Sequence, residues 1–173
     1  ERSLALDVAY LGVAEPGDGV AGTEFTNALT GYGDVQFLGR KELSFTSMGH
    51  EDPWAVVSRK GDPSSIEFTI PSPTSDEMKM FCGGTVSGDK WEAPLSTPSI
   101  LKTIRLQSLP YQGKFTEYVF VKCSVFGKIS QAPDKENCDL LLVKATIMTP
   151  VSAAGKQASP YSRAVKAVSE DTE

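Results

Sequence analysis

The sequence contains one histidine, His50, in 173 residues, and only three cysteines. His50 sits beside Glu51 and Asp52 in a polar stretch, and no nucleophile or second base stands at a recognisable catalytic spacing from it. That excludes the common hydrolase constellations, and His50 reads as a solvated loop residue. A zinc site needs more nitrogen or sulfur donors than this chain brings together. Cys82, Cys123 and Cys138 have no C-x-x-C spacing, and an odd, widely spaced set argues against a disulfide framework. They read as free thiols in a reducing compartment. No apolar run approaches the length of a membrane span, and no secretory signal is visible. Positive charge is also short: the formal net charge is -5, so the surface is not one that binds nucleic acid by neutralising phosphates.

Other site signatures are missing as well. Asp18, Glu24 and Asp34 lack the D-x-D-x-D-G spacing of a calcium loop. Gly17-x-Gly19 and Gly31-x-Gly33 are too short for a dinucleotide fingerprint, and no long helix follows either. There is no G-x-S-x-G elbow. The residues predict no catalytic group, no metal and no cofactor.

What is present is strand and turn. Hydrophobic residues make up 40% and charged residues 23%, with 15 glycines and 11 prolines; this is a globular composition rich in turns. The spacing predicts strands over Leu4 to Val13 and over Val35 to Ser47, the latter interrupted at Gly39-Arg40-Lys41 by a bulge or hairpin turn. Ser65 to Ile70 alternates cleanly, with Ile66, Phe68 and Ile70 on one face. Ile100 to Ser108, Phe115 to Val125 (with Gly127 as a kink at its end) and Asp139 to Thr149 follow. Leu141, Val143, Ala145 and Ile147 share one face of the last of these, and Leu140 and Leu142 lie on the other. Met48 to Ser64 reads as a long loop carrying an apolar patch at Trp54, Val56 and Val57. From Val151 onward Ala, Ser, Lys and Glu dominate, which predicts a flexible arm over 151–173.

Between these strands lies the most informative stretch. Thr74-Ser75-Asp76-Glu77 has the form of a capping box. It opens a helix of about nine residues with Met78, Phe81 and Cys82 on one face, and Gly83 stands where a C-terminal glycine belongs. A tight hairpin follows, turning at Gly88-Asp89 and carrying Trp91. The fold class expected is mainly β: two packed antiparallel sheets, sandwich- or barrel-like, with one short flanking helix. The domain spans 1–150, with the loop 48–64 inside it.

Four features in order, Lys60 to Ile70, the helix Thr74 to Cys82, the hairpin segment Gly83 to Pro94, and the ending Leu140 to Pro150, make the sequence resemble the tail tube, or major tail, proteins of long non-contractile-tailed bacteriophages. The similarity runs over about Val35 to Pro150. The resemblance implies hexameric rings stacked into a tube, with DNA passing through the lumen without specific binding. It implies no enzyme activity and no membrane insertion. Its partners would be further copies of itself, a tape-measure protein, and tail-terminator and baseplate proteins. Its place would be the virion tail, after assembly in the host cytoplasm. Candidate contacts between subunits or rings are Trp54, Val56, Val57, Arg59, Lys60, Trp91 and Tyr161. An acidic lumen would keep DNA from adhering to the wall. Two alternatives stay open: a monomeric β-sandwich that binds carbohydrate or a host surface through Trp54 and Trp91, and the inner tube of a contractile injection device.

Overall fold

The structure, a computed structural model, describes residues 4–6, 8–27, 35–39, 43–45, 48–49, 52, 55–57 and 63–168. It is mainly β, with strands β1 (Val8–Ala14), β2 (Thr26–Asn27), β3 (Gln36–Gly39), β4 (Leu43–Phe45), β5 (Ala55–Val57) and β6 (Pro63–Pro71), then helix α1 (Ser75–Cys82), then β7 (Thr85–Ser87), β8 (Lys90–Glu92), β9 (Ile100–Ser108), β10 (Lys114–Gln131), β11 (Leu140–Met148) and β12 (Tyr161–Ala167).

The main sheet runs β2-β1-β9-β10-β11-β6-β3, with β12 also on β10. All its pairings are antiparallel. β10 belongs to two layers. Its first part, Lys114 to Phe120, lies between β9 and β12; its second part, from Lys122, lies between β9 and β11 and then along β11 alone. The register with β9 shifts between Phe120 and Cys123, and such a bulge bends a strand and increases its twist. The layer β11-β6-β3 thereby folds over the first, and the Phe37 ring on β3 meets the rings of Tyr118 and Phe120 on β10 at 5.5 and 5.6 Å. The core between the layers takes Leu11 and Val13 from β1, Ile66, Phe68 and Ile70 from β6, Ile104 from β9, Phe120 and Cys123 from β10, and Leu141, Val143 and Ala145 from β11.

The bend in β10 is pinned by one buried hydroxyl. Thr103 on β9 is fully buried. Its Oγ1 donates to the Val121 carbonyl at 2.6 Å and accepts from the Gly22 N–H at 3.1 Å. It therefore ties the 15–25 loop to the bulge. Thr103→Val keeps the shape but leaves both partners unmet, so a loss of about 1–3 kcal/mol is expected. Denaturant unfolding would detect it as a lower midpoint with an unchanged slope.

Helix α1 closes one end. Thr74 caps it, its Oγ1 accepting from the Glu77 N–H at 3.2 Å and facing Glu77 Oε1 at the same distance. Gly83 ends it with φ 75° and its N–H donating to the Lys79 carbonyl. Phe81 is fully buried and packs edge-on against Phe68, ring centroids 5.8 Å apart. The hairpin β7–β8 turns on Gly88 at φ 61°, the positive angle that a Gly-first two-residue turn requires.

Several expectations are corrected. The interruption is not a hairpin turn between β3 and β4, since β3 pairs with β6 and β4 with β5; the register of β3 on β6 does shift between Leu38 and Gly39, as a bulge there would make it. The segment 48–64 holds β5 and the start of β6, so it is not loop throughout. β10 does not end at Val125 or kink to a stop at Gly127. It continues to Gln131, because β11 supplies partners for the whole extension. The segment 151–173, expected as a flexible arm, contains β12, whose seven residues pair with Lys114 to Phe120. Low hydrophobicity argued against a packed element there, but a strand laid along an open edge needs backbone partners more than it needs a core.

Candidate interaction surfaces

Among the described residues, no group of three or more His, Cys, Asp or Glu is placed to share a metal ion, and no helix is long and apolar enough to cross a membrane. Cys123 is buried and its thiol is pushed up to about 12 by desolvation; burial also raises Cys82. Neither thiol has the lowered pKa of a reactive cysteine. Asp18 accepts from the Ala153 N–H at 2.8 Å and so acts as a pin between two loops. Asp134 accepts from the Glu136 and Asn137 N–H groups, and these bonds hold its carboxyl below the usual range.

The surfaces that stand out are strand edges and apolar grooves. Past Val125, β10 has left β9 and pairs only with β11 among the described residues. The chain entering β9 diverges there, since Pro94 and Pro98 have no N–H to offer a ladder. The gap is a groove of about 410 Å³ lined by Met78, Trp91, Leu95, Phe126 and Ile129 together with the two prolines. Leu95 is fully exposed, and Phe126 and Ile129 are exposed as well. The helix sits tightly against this part of β10: a Cβ on Gly127 would lie 3.0 Å from Cys82 Sγ and 3.1 Å from Phe81 Cβ.

A second surface lies at the other end of β10, under β12. Glu117 is only 6% exposed. Its carboxylate accepts from Lys166 Nζ on β12 at 2.8 Å and from Gln107 Nε2 on β9 at 2.9 Å. Burial by itself would raise its pKa, but these two bonds and the charges of Lys166 and Arg105 outweigh it, and the carboxyl is held below its usual 4.5. Arg105 lies over the rings of Phe25 and Tyr10 at 4.0 and 5.3 Å. One pair along, Arg163 Nε donates to Tyr118 Oη at 3.0 Å. Because the folded pKa of Glu117 is depressed, its contribution is complete above the unfolded value and is lost as pH falls through the folded value. Acidification below about pH 4.5 is therefore expected to loosen β12 before it loosens β11. NMR or hydrogen exchange of Ser162 to Ala167 against pH would check the order.

The described residues among the candidates named from the sequence, Val56, Val57, Trp91 and Tyr161, lie on three different strands, β5, β8 and β12. Trp54, Arg59 and Lys60 lie outside the described residues. Val56 and Val57 are on β5, opposite Ser44 and Leu43. Trp91 is half-buried in the groove, and its Nε1 donates to the Gly83 carbonyl at 2.8 Å, which serves the end of α1. Tyr161 starts β12 and stacks on Phe120 at 5.6 Å. Sequence reasoning missed Glu117 with Lys166, and Leu95 with Phe126 and Ile129. The bracketing of Leu95 by Pro94 and Pro98 was a usable signal for a segment that cannot join a ladder. A lone Glu within Phe115 to Val125 gave no sign of its partner.

No protein-family model matches the sequence, and no curated protein matches it.

Proposed function

We propose that the chain is a non-enzymatic, self-assembling structural subunit: the tail tube protein of a long-tailed bacteriophage, which builds stacked hexameric rings around a DNA-conducting lumen. The observation that carries this reading is how much strand edge a lone subunit leaves open. Among the described residues, β12 is paired along one side only, β3 likewise, and β10 loses one partner after Val125. Open edges template pairing with other chains, and soluble monomers usually blunt or cover them. Here the third edge lies beside an apolar groove rimmed by exposed Leu95, Phe126 and Ile129. Ring formation removes such edges, and head-to-tail stacking extends a ring into an open-ended filament. Further support comes from the mainly β architecture, with one helix among the described residues, and from the acidic balance, which suits a wall that DNA must slide past. Terminator, tape-measure and baseplate proteins would be its partners in the virion. The inner tube of a contractile device would share the ring, and only a sheath partner separates the two.

Light scattering coupled to size exclusion, over a concentration series, tests the self-assembly. Mass rising from the 18.6 kDa subunit to a ring and beyond supports it; a strict monomer that binds glycan would point to the carbohydrate-binding module instead.

A further inference from the structure

One edge of β10 is shared by two strands in succession, and they are held in different ways. β11 pairs from Lys122 onward and drives Leu141, Val143 and Ala145 into the core, all at 0% exposure. β12 pairs from Lys114 to Phe120 and buries none of its side chains; only Tyr161 is even half-buried. What secures β12 is its backbone ladder, the stacking of Tyr161 on Phe120, and two polar contacts, Lys166 to Glu117 and Arg163 to Tyr118. Each of these is made to β10.

We propose that β12 is an exchangeable strand: within an assembly it leaves the β10 of its own subunit and pairs, in the same register, on the β10 of a second copy. The acceptor edge is built without it. Gln107 on β9 already holds Glu117, and Arg105 lies close enough to act on the same carboxylate. The two sides are complementary in charge. β12 carries Arg163 and Lys166 and no acid, in a chain of net charge -5, and it meets a buried glutamate. The connection permits the exchange: residues 151–160 are exposed apart from Ser152 and Pro160. They are anchored through Ala153 to Asp18 and through Pro160 to Val121. Stretched out, they reach on the order of 30 Å, several times the spacing between neighbouring strands. A swapped strand recreates in a neighbour the contacts it gave up, which makes exchange a low-cost route to association. This inference rests on the self-assembly reading above and names the element that would join the copies.

The test uses full-length chains in a Cys138→Ser background, which removes the exposed thiol. Lys114 and Ala167 stand directly opposite each other. Val168 donates to the Gly113 carbonyl one position away, so the 114–167 pair is a non-hydrogen-bonded one, with its side chains close. A chain carrying both Lys114→Cys and Ala167→Cys should form an internal disulfide as a monomer, confirming the register. Chains carrying one substitution each are then mixed in equal amounts, assembled and oxidised. Exchange predicts disulfide-linked heterodimers taking in about half of the chains in the sedimenting particles, the fraction expected when partners are drawn at random. Particles without heterodimers overturn the exchange and leave the tube reading intact. If no particles form at any concentration, the tube reading falls, and the concentrated soluble mixture decides the exchange: heterodimers there sustain it and their absence overturns it.

Discussion

Replacing Phe81 with alanine should cost about 3–5 kcal/mol, the range for truncating a fully buried aromatic. That is a large share of the 5–15 kcal/mol that holds a typical domain together. Phe81 has no exposed surface, packs edge-on against Phe68, and lies against the backbone of Gly127. Helix α1 has only eight residues, too few to persist without packing, so the cavity should loosen the helix as a whole. The midpoint of thermal unfolding is expected to fall by on the order of 10 °C. Exchange protection should drop first in Ser75 to Cys82. A fall of only a degree or two, with α1 still protected, would mean that Phe81 does not fasten the helix.

Glu117→Lys should also have a large effect, by a different route. It replaces a buried carboxylate with a cation beside Lys166 and Arg105. Lys166 is half-exposed, so its own charge is screened. The loss comes from the buried end, where Gln107 loses its acceptor and a cation faces Arg105, and about 1–3 kcal/mol is expected. β12 buries nothing that would hold it in place, so the fold can relieve the repulsion by releasing that strand. The expected signature is regional: Ser162 to Ala167 lose protection, while β11, anchored by Leu141, Val143 and Ala145, keeps it. Adding Lys166→Glu should restore part of the loss, since it returns an opposite charge to the pair. Uniform destabilisation without rescue would show that the pair does not secure β12.

α1 was readable because its cap, its first-turn acids and its terminal glycine are local chemistry, contained in Thr74 to Gly83. Strands β9 and β11 were readable because burial imposes a period of two on their residues. The end of β10 was misjudged at Gly127, where the glycine answers to the helix packed on it and not to a kink. β12 was missed because pairing on a preformed edge leaves little mark on composition: its residues are exposed, and the partner of Lys166 lies 49 positions away. β5 fell likewise inside a stretch read as loop, whereas β4 lies within the strand expected over Val35 to Ser47 but pairs with β5 instead of joining the sheet of β3. Trp91 drew attention as an aromatic on a hairpin, yet its indole serves the Gly83 carbonyl, while the exposed apolar rim formed at Leu95, Phe126 and Ile129, residues from separate segments that meet only in the fold.

The most direct measurement is negative-stain electron microscopy of the purified, concentrated chain. The account predicts closed rings, stacked in places into hollow tubes of uniform width, because pairing between copies in a ring would cover the edges that β3 and β12 leave among the described residues. Isolated particles of single-subunit size at every concentration, in a protein shown to be folded, would contradict it.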